Sequence, residues 1–419
     1  MHIQLPYGKI FLPVEIPDQN ILDVVLPKEI IQPERMESLI HGALRDPLGS
    51  DRLEDIAKPG DQVAIVVDDY TRPCPTQQML PPVLDLLRTA DVDDTDVLII
   101  VGCGSHTPPT SEQIKDIVGE RIARTYQVLS NDAYQGDHVA VGTTKRGNTV
   151  EVLRTYIDAD IKILLGDIGY HPFAGYSGTR KSILPGIASF KTIQRNHKLM
   201  FEANAHAGVL KDNPIHHEMN EAMHFAGCDF AFNVVLNSFH RIVGAWTGKP
   251  EAVLDVGAKL VDSMYKKEVT EPADIAIVSA GGYPHDIDLY HAHKALQMTL
   301  PLMKKQGVIV FIAECIQGVG NQIFDEWMHT HHTATEIKSA LQKEFVLGAH
   351  RAYYHYDAVE HHPIFLVSSL DKKEVETIYH VTPAQTPQEA LENTISLKGK
   401  DARIRVIPQG CTTLITKKQ

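Results

Sequence analysis

The sequence has 419 residues, 43% of them hydrophobic, which is enough for two or three domains with substantial cores. Its 53 acidic and 40 basic residues give a net charge of −13, which disfavours nucleic acid and anionic membrane surfaces as partners. No stretch approaches the roughly 18 apolar residues of a membrane span, the first residues do not resemble a signal peptide, and the five cysteines include no CxxC pair. We therefore expect a cytoplasmic protein with reduced thiols.

Short β-branched runs alternate with amphipathic helical stretches in the first part of the chain. This alternation is typical of a parallel sheet covered by helices. A glycine turn at Lys145–Asn148 interrupts it and predicts an antiparallel hairpin. In chain order, the predicted elements are a strand at 61–69, a helix at 76–90, a strand at 96–104, a helix at 110–124, hairpin strands at 138–144 and 148–154, and a strand at 161–168.

Further helices and a strand pair complete the first predicted domain, which we place at residues 1–270. The last of its helices has a basic end that suits the C-terminal end of a helix dipole. These elements are helices near 189–201 and 214–227, strands at 228–237 and 241–248, and a helix from Pro250 to about Lys267.

Residues 271–419 are predicted to form a second α/β domain, because the alternation restarts after Glu271 and Pro272. An alternative for the final strand is that it packs back on the first domain. The histidine-rich stretch Met328–His332 is too irregular for a metal tract and predicts a surface turn. The other predicted elements are a strand at 274–282, a helix at 290–305, strands at 307–314 and 363–369, a helix at 386–397 and a strand at 403–408.

The segment Gly169–Gly186, GYHPFAGYSGTRKSILPG, is the most distinctive in the chain. Gly175 and Gly178 allow backbone N–H groups to turn inward, and Arg180 and Lys181 add positive charge, so the segment predicts an anion-binding loop. Lys181 has two alternatives: it binds a phosphate, or it is an amine nucleophile whose pKa is depressed by Arg180. The sequence alone favours the phosphate role.

Three polar segments follow strands of the predicted parallel sheet: 68–73, 102–108 and 167–175. The carboxyl ends of parallel strands share one edge, where ligands bind in open α/β sheets. The second domain adds Gly281–Pro284 after its first strand and Lys294 on the next helix. We therefore predict two α/β domains with mainly parallel sheets and an active-site cleft between them.

Arg72, His106 and His171 are the candidate reactive residues of these segments. Arg72 offers a planar fork for a carboxylate, with a structural ion pair to Asp68 or Asp69 as the alternative. A lone loop histidine is usually solvated, but two that leave neighbouring strands suit acid and base work on opposite faces of one carbon.

Other histidines favour structural roles when they are taken alone. His197 lies on a helix that begins at the N-cap Ser189, and an isolated histidine there is expected on the helix surface. His216 and His217 project about 100° apart on a helix, so they do not share a metal, and HExxH fails because position 221 is glutamate. The GxGxxG, GxxxxGK[ST] and GxSxG signatures are missing from the sequence.

Five motifs distributed over nearly the whole chain carry a family resemblance. They are DDYTRPCP at 68–75, GCGSH at 102–106, GYHPFAGYSGTRKSILPGI at 169–187, the downstream His197, and YHAHKAL at 290–296. With them the chain resembles the nickel-dependent lactate racemase family. The resemblance implies a nickel-pincer nucleotide, which is the nickel (Ni) complex of pyridinium-3,5-bisthiocarboxylic acid mononucleotide, metallated through sulfur, carbon and a histidine.

The resemblance also implies a role for each matching residue. Lys181 would form a thioamide tether to the cofactor, and His197 would be the protein ligand to nickel. His106 and His171 would be the paired acid and base. Arg72 and Lys294 would hold the substrate carboxylate, beside the substrate-side Tyr290. The remaining implied cofactor contacts are Asp69, Thr71, Gly175, Ser177, Gly178 and Arg180.

One position departs from the family pattern, because His291 follows the tyrosine where the lactate enzyme has glutamine. This histidine could meet a second carboxylate or a hydroxyl of the substrate, or simply pack. The resemblance therefore implies a racemase or epimerase of lactate or a larger 2-hydroxy acid, loaded by the proteins that make its cofactor.

In the implied mechanism, one histidine removes the hydroxyl proton while hydride leaves C2 for the pincer ring, and hydride then returns to the other face of the 2-oxo acid. Two alternatives stay open. One is cofactor-free racemisation by the same two histidines. The other is a binding protein for an anionic nucleotide or hydroxy acid, whose domains close on the ligand without turnover.

Overall fold

Two six-stranded sheets, both mainly parallel, organise the protein in a computed structural model that describes residues 1–30 and 35–418. The chain divides into two compact units. Residues 29–264 form one, called here the central unit, and residues 1–28 with 265–419 form the other, called the terminal unit. The α/β class predicted from the sequence is confirmed. In the described residues, none of the helices is long and apolar enough to cross a membrane.

The strands are β1 (His2–Tyr7), β2 (Ile10–Glu15), β3 (Ile21–Val24), β4 (Val63–Asp68), β5 (Val97–Gly102), β6 (Gln127–Ser130), β7 (His138–Thr143), β8 (Thr149–Leu153), β9 (Ile161–Asp167), β10 (Tyr170–His171), β11 (Gly175–Tyr176), β12 (Phe230–Leu236), β13 (Ile242–Gly248), β14 (Lys266–Val269), β15 (Ala273–Ser279), β16 (Met303–Ile312), β17 (Ile364–Val367), β18 (Thr382–Ala384), β19 (Ile404–Ile407) and β20 (Leu414–Lys417).

The α-helices are α1 (Met36–Arg45), α2 (Leu53–Ile56), α3 (Thr76–Thr89), α4 (Ser111–Val118), α5 (Glu120–Thr125), α6 (Arg154–Ile157), α7 (Phe190–His197), α8 (Pro214–Ala226), α9 (Pro250–Tyr265), α10 (Leu289–Thr299), α11 (Gln322–Thr330), α12 (Ala334–Lys343), α13 (Ala349–His361), α14 (Lys372–Thr377) and α15 (Pro387–Lys398). Short 3-10 turns lie at Asp18–Asn20, Asp94–Asp96, Thr179–Ser182, Lys198–Phe201 and Leu300–Leu302.

The sheet of the central unit has the strand order β13-β12-β9-β4-β5-β6. All neighbouring pairs are parallel except β12 and β13, which are antiparallel. The strand β4 lies in the middle, and its residues Val63–Val67 are all buried. A continuous apolar run is what a strand needs when helices cover both faces of its sheet. The β7–β8 hairpin predicted around Lys145–Asn148 is confirmed.

The sheet of the terminal unit has the order β18-β17-β16-β15-β19-β3, and all its neighbouring pairs are parallel. Its edge strand β3 comes from the start of the chain. Residues 1–28 therefore cluster with residues 265–419, whereas a single boundary at residue 270 had grouped them with the central residues. The final strand β20 pairs with β14 at residues 266–269.

Four predicted element boundaries were wrong. The helix predicted at 110–124 is interrupted at Gly119, where φ is +90°. The helix from Pro250 ends at Tyr265, and the two lysines expected at its basic end begin β14 instead. The helix predicted at 290–305 ends at Thr299, because the proline turn that follows leads into β16. Met328–Thr330 belong to the last turn of α11 and not to a surface turn.

Candidate active site

The carboxyl ends of β9, β4 and β5 lie side by side, because these strands are parallel neighbours. Asp68 at the end of β4 is in register with Gly102 at the end of β5, and β9 ends at Asp167. The three segments selected from the sequence therefore leave the same edge of one sheet. The segment after β5 is also joined to the Gly169–Gly186 loop, since the amide of Gly104 donates to the carbonyl oxygen of Gly186 at 2.8 Å.

His106 is held by a carboxylate just beyond β4. Its Nδ1 lies 2.6 Å from Oδ2 of Asp69, and Thr71 donates to Oδ1 of Asp69 from its hydroxyl at 2.6 Å and its amide at 3.1 Å. Burial alone would raise the pKa of Asp69, but hydrogen bonds from His106 and Thr71 and the charges of His106 and Arg72 outweigh burial and lower this pKa. A carboxylate accepts the proton on Nδ1 and leaves Nε2 as the basic nitrogen of the neutral ring.

His171 is also hydrogen-bonded through its Nδ1, but there the nitrogen accepts instead of donating. It ends the short strand β10, and the amide of Ala174 donates to its Nδ1 at 3.2 Å. An Nδ1 that accepts a hydrogen bond assigns the proton of the neutral ring to Nε2. The two histidines therefore present complementary nitrogens, with an acceptor Nε2 on His106 and a donor Nε2 on His171.

Phe173 packs against two histidine rings, edge-on to His171 at 4.5 Å and to His197 at 5.1 Å between ring centroids. His197 is 5% exposed, so the surface position expected for an isolated helix histidine was wrong. Burial, with a smaller contribution from Lys181 when that lysine is protonated, lowers the pKa of His197 to about 3. The ring is consequently neutral near pH 7, which is the form that binds metal ions.

Arg180 is fully buried and its guanidinium contacts its own loop. Its Nε donates to Nδ1 of His216 at 3.0 Å. Its two terminal nitrogens donate to four backbone carbonyls at 2.9–3.2 Å, those of Ala174, Tyr176, Ser177 and Gly178. All five N–H groups of the guanidinium therefore have acceptors within the protein, and Arg180 stabilises the conformation of the loop. The sequence had instead assigned its charge to a bound anion, and it gave His216 no role.

Gly175 and Gly178 are required by close packing within this loop. Their φ angles are +81° and +83°. A Cβ on Gly175 would lie 2.2 Å from the carbonyl oxygen of Val209, and one on Gly178 would lie 2.7 Å from Cγ1 of Ile168. The hydroxyl of Ser177 bonds the backbone at and just beyond the end of β9. These three residues hold the backbone that carries the next side chain, Lys181.

Lys181 is half-buried in a short 3-10 turn beside Arg180. Burial, together with the charges of Arg72 and Arg180, lowers the pKa of Lys181 well below its ordinary value, against the opposing effect of Asp68. An uncharged amine is a nucleophile and a poor partner for phosphate. The electrostatic environment therefore favours the nucleophile over the phosphate role that the sequence alone favoured.

Arg72 is exposed at the same edge, with its amide bonded to the carbonyl oxygen of Asp69 at 3.1 Å. Its guanidinium forms no ion pair with any residue in the described part of the chain, so the structural ion pair considered from the sequence is not formed. The planar fork remains available to a carboxylate from outside the protein.

Asp68 and Asp167 form a carboxyl pair that the sequence reasoning did not assign. Their carboxylate oxygens and the Cys74 thiol lie within 4.8 Å of one another. Burial and the charge of Asp167 raise the pKa of Asp68, although Arg72 acts against this. A proton held by this pair reduces the negative charge beneath the active edge. The sequence does contain one indication of this pair, because each aspartate ends one of two neighbouring strands.

The substrate-side residues predicted from the sequence lie on α10 of the terminal unit. The side chain of Asp288 caps this helix by accepting from the amide of His291 at 2.8 Å, and it also lies 2.8 Å from Nδ1 of His291. His291 therefore has a structural partner of its own. Tyr290 and Lys294 are four residues apart and share one face of the helix. The guanidinium of Arg351 lies over the ring of Tyr290, 5.4 Å from the centroid of that ring.

The chain is similar to lactate racemases over nearly its whole length. Residues 7–208 match the lactate racemase N-terminal domain, and residues 269–415 match the lactate racemase C-terminal domain. Lactate racemase of Thermoanaerobacterium thermosaccharolyticum is 32% identical over 100% of both chains, and lactate racemase of Lactiplantibacillus plantarum is 30% identical over 99% of both.

Solved structures agree with the sequence matches. The apoprotein structure of the T. thermosaccharolyticum lactate racemase has a TM-score of 0.91 at 32% identity, covering 99% of this chain and 100% of that one. A Thermotoga maritima protein with a TM-score of 0.66, covering 94% of this chain and all of its own, shares the fold at 19% identity. The fold and these matches define an enzyme of the isomerase class. The chain belongs to the lactate racemase family.

Proposed function

We propose that this protein interconverts the stereoisomers of a 2-hydroxy acid, lactate or a larger one, with His106 and His171 as the two acid–base groups. The observation that carries the proposal is their complementary hydrogen bonding. Asp69 accepts from Nδ1 of His106, and the amide of Ala174 donates to Nδ1 of His171. This bonding leaves Nε2 of His106 as a proton acceptor and Nε2–H of His171 as a hydrogen-bond donor towards a ligand oxygen.

The side chains fit the cofactor that the family resemblance implies. A thioamide tether needs an uncharged lysine, and the environment of Lys181 lowers its pKa well below the ordinary value. A nickel ligand needs a neutral imidazole, and the pKa of His197 is lowered to about 3. We infer that Lys181 holds the nickel-pincer nucleotide and His197 binds its nickel. When bound, this group supplies a centre that accepts hydride from C2 and returns it.

The proposed work of the protein is to move the hydroxyl proton and hold the carboxylate. In one direction Nε2 of His106 accepts the proton of the 2-hydroxyl, and the carboxylate of Asp69 stabilises the resulting imidazolium. For the return step His171 is taken in its imidazolium form, so that its Nε2–H protonates the oxygen of the 2-oxo acid, presented in the opposite orientation, as C2 regains hydride, and the ring is left neutral. The two rings recover their starting protonation states by exchanging protons with water. In the reverse direction the two rings exchange these roles, so neither can replace the other.

Arg72 is proposed to bind the substrate carboxylate, because its guanidinium is exposed and forms no ion pair among the described residues. Lys294 and Tyr290 are proposed to contact the substrate from α10. Gly175, Ser177, Gly178 and Arg180 would contribute to cofactor binding through the backbone they hold, and Asp69 and Thr71 through the loop after β4. Cofactor-making proteins would load the enzyme.

The test is co-expression with the cofactor-making proteins, followed by intact mass, nickel content and chiral chromatography of lactate incubations. We expect a covalent increment on Lys181, stoichiometric nickel and conversion of each enantiomer into the other. Lys181→Ala should lose all three, while Lys191→Ala, which removes an exposed lysine of the same unit, should keep them. Reversible hydroxy-acid binding without an adduct or isomerisation would contradict the proposal and support a binding protein.

A further inference from the structure

Arg351 on α13 is a half-buried cation with few partners of its own. Its Nη1 donates to Oε1 of Gln297 at 3.1 Å, and its guanidinium lies over the ring of Tyr290. Its Nε is buried and has no hydrogen-bond acceptor among the described residues. It forms no ion pair with a carboxylate in the part of the chain that the structure describes.

Two fully buried arginines of the chain, Arg180 and Arg405, show what a structural role looks like. All five N–H groups of Arg180 are satisfied within its loop. Arg405 forms a two-point ion pair with Asp23 at 2.7 and 2.8 Å. Arg351 has neither arrangement. Its buried Nε has no acceptor among the described residues, which is unfavourable, and an anionic ligand would offset that cost.

A second cation, Lys294, acts on the same thiol as Arg351. Burial raises the pKa of the Cys411 thiol to about 11, while the charges of Lys294 and Arg351 act to lower it and that of Asp286 acts to raise it. Burial, followed by the neighbouring ionisable groups His355, Arg351 and His350, keeps the pKa of His293 well below its ordinary value. Two cations, Lys294 on α10 and Arg351 on α13, thus lie near one thiol and next to Tyr290. A ligand with two negative groups matches this arrangement better than one with a single negative group.

We propose that Arg351 binds a second carboxylate of the substrate, so that the preferred substrate is a 2-hydroxy dicarboxylate. The inference rests on the proposed function, because it takes Lys294 and Tyr290 as substrate contacts. Lys294 would serve the carboxylate next to C2 and Arg351 the distal one. A guanidinium can bind that group in two-point fashion, which an ammonium cannot. His291 is not assigned to the distal carboxylate, because its Nδ1 is already bonded to Asp288.

The experiment compares 2-hydroxybutanedioate with lactate on the cofactor-loaded enzyme and on Arg351→Gln, Arg351→Lys and Arg403→Gln. Arg403 is an exposed arginine of the same unit and serves as the matched control. We expect the wild type to prefer the dicarboxylate. Arg351→Gln should lower kcat/KM for it by roughly 10- to 100-fold, mainly through KM, while lactate changes by no more than about threefold. Arg351→Lys should retain part of the preference, and Arg403→Gln all of it.

Three results would overturn the inference: a wild type that prefers lactate, an equal loss for both substrates in Arg351→Gln, or no loss at all. Circular dichroism of each variant checks that it is folded. Calorimetric titration with 2-hydroxybutanedioate gives a measurement that needs no turnover, and equal Kd values for wild type and Arg351→Gln would also overturn it. If a verified lysine adduct isomerises lactate but ignores the dicarboxylate, the inference fails while the proposed function stands. If the loaded enzyme isomerises neither, the proposed function fails.

Discussion

Replacing Asp69 by asparagine isolates the hydrogen bond that prepares His106. The exchange keeps the shape of the side chain, which is 5% exposed, but removes the charge that faces Nδ1 at 2.6 Å. An amide can also turn its NH₂ towards Nδ1, which moves the ring proton to Nε2 and leaves no base. The loss should therefore exceed that of an ordinary hydrogen bond.

The magnitude follows from two bounds. A hydrogen bond to a charged group contributes about 1.5–3 kcal/mol, or roughly 10- to 150-fold in rate. The same exchange in a Ser-His-Asp triad costs about 10⁴-fold. Since the His106 side chain is 32% exposed, water partly replaces the lost interaction, and we expect kcat/KM to fall by about 10²-fold.

The assay is chiral chromatography of both enantiomers with loaded Asp69→Asn enzyme. The decrease in kcat/KM should be the same in both directions, because a catalyst cannot change the equilibrium constant. Intact mass should show an unchanged lysine adduct. Turnover within threefold of wild type with the adduct present would refute the assignment of His106 as a base prepared by Asp69.

Three further predictions concern the other parts of the site. His106→Ala and His171→Ala should each abolish isomerisation but keep the adduct, and substantial turnover by either variant would exclude the paired mechanism. Gly178→Ala should lower the free energy of unfolding by about 1–3 kcal/mol in urea titrations, because of its positive φ and the 2.7 Å approach to Ile168; no loss would contradict the packing argument. Burial, followed by the charges of Arg180 and His217, lowers the pKa of His216 to about 3. The neutral His216 ring therefore makes its full contribution to the free energy of unfolding above about pH 6.5, and this contribution is lost as the pH falls towards 3. The free energy of unfolding of His216→Gln should change less over that pH range.

The sequence predicted the sheet edge well, because the evidence for it is local. Apolar runs identify the strands that end at Asp68, Gly102 and Asp167, and parallel pairing follows from the helices between them. The hairpin around Lys145–Asn148 was equally clear from its glycine turn. Element type and the shared edge therefore needed no tertiary information.

The parts that escaped prediction depend on partners far away in the chain. Arg180 looked like an anion ligand because its acceptors are backbone carbonyls and His216, which lies 36 residues further on. Burial of His197 depends on packing around Phe173, which its own helix pattern does not contain. The position of residues 1–28 depends on β3 pairing with β19, about 380 residues later. None of these contacts leaves a periodic signal in the sequence.

The most direct test of the account follows the hydrogen at C2. A single enantiomer of the substrate, deuterated at C2, is incubated with the loaded enzyme in ordinary water, and the product enantiomer is analysed by mass spectrometry. If His106 and His171 move only the hydroxyl proton, the product retains its C2 deuterium through every inversion. Exchange of that deuterium for solvent hydrogen at each turnover would mean that a histidine removes a proton from carbon, and it would contradict the central claim.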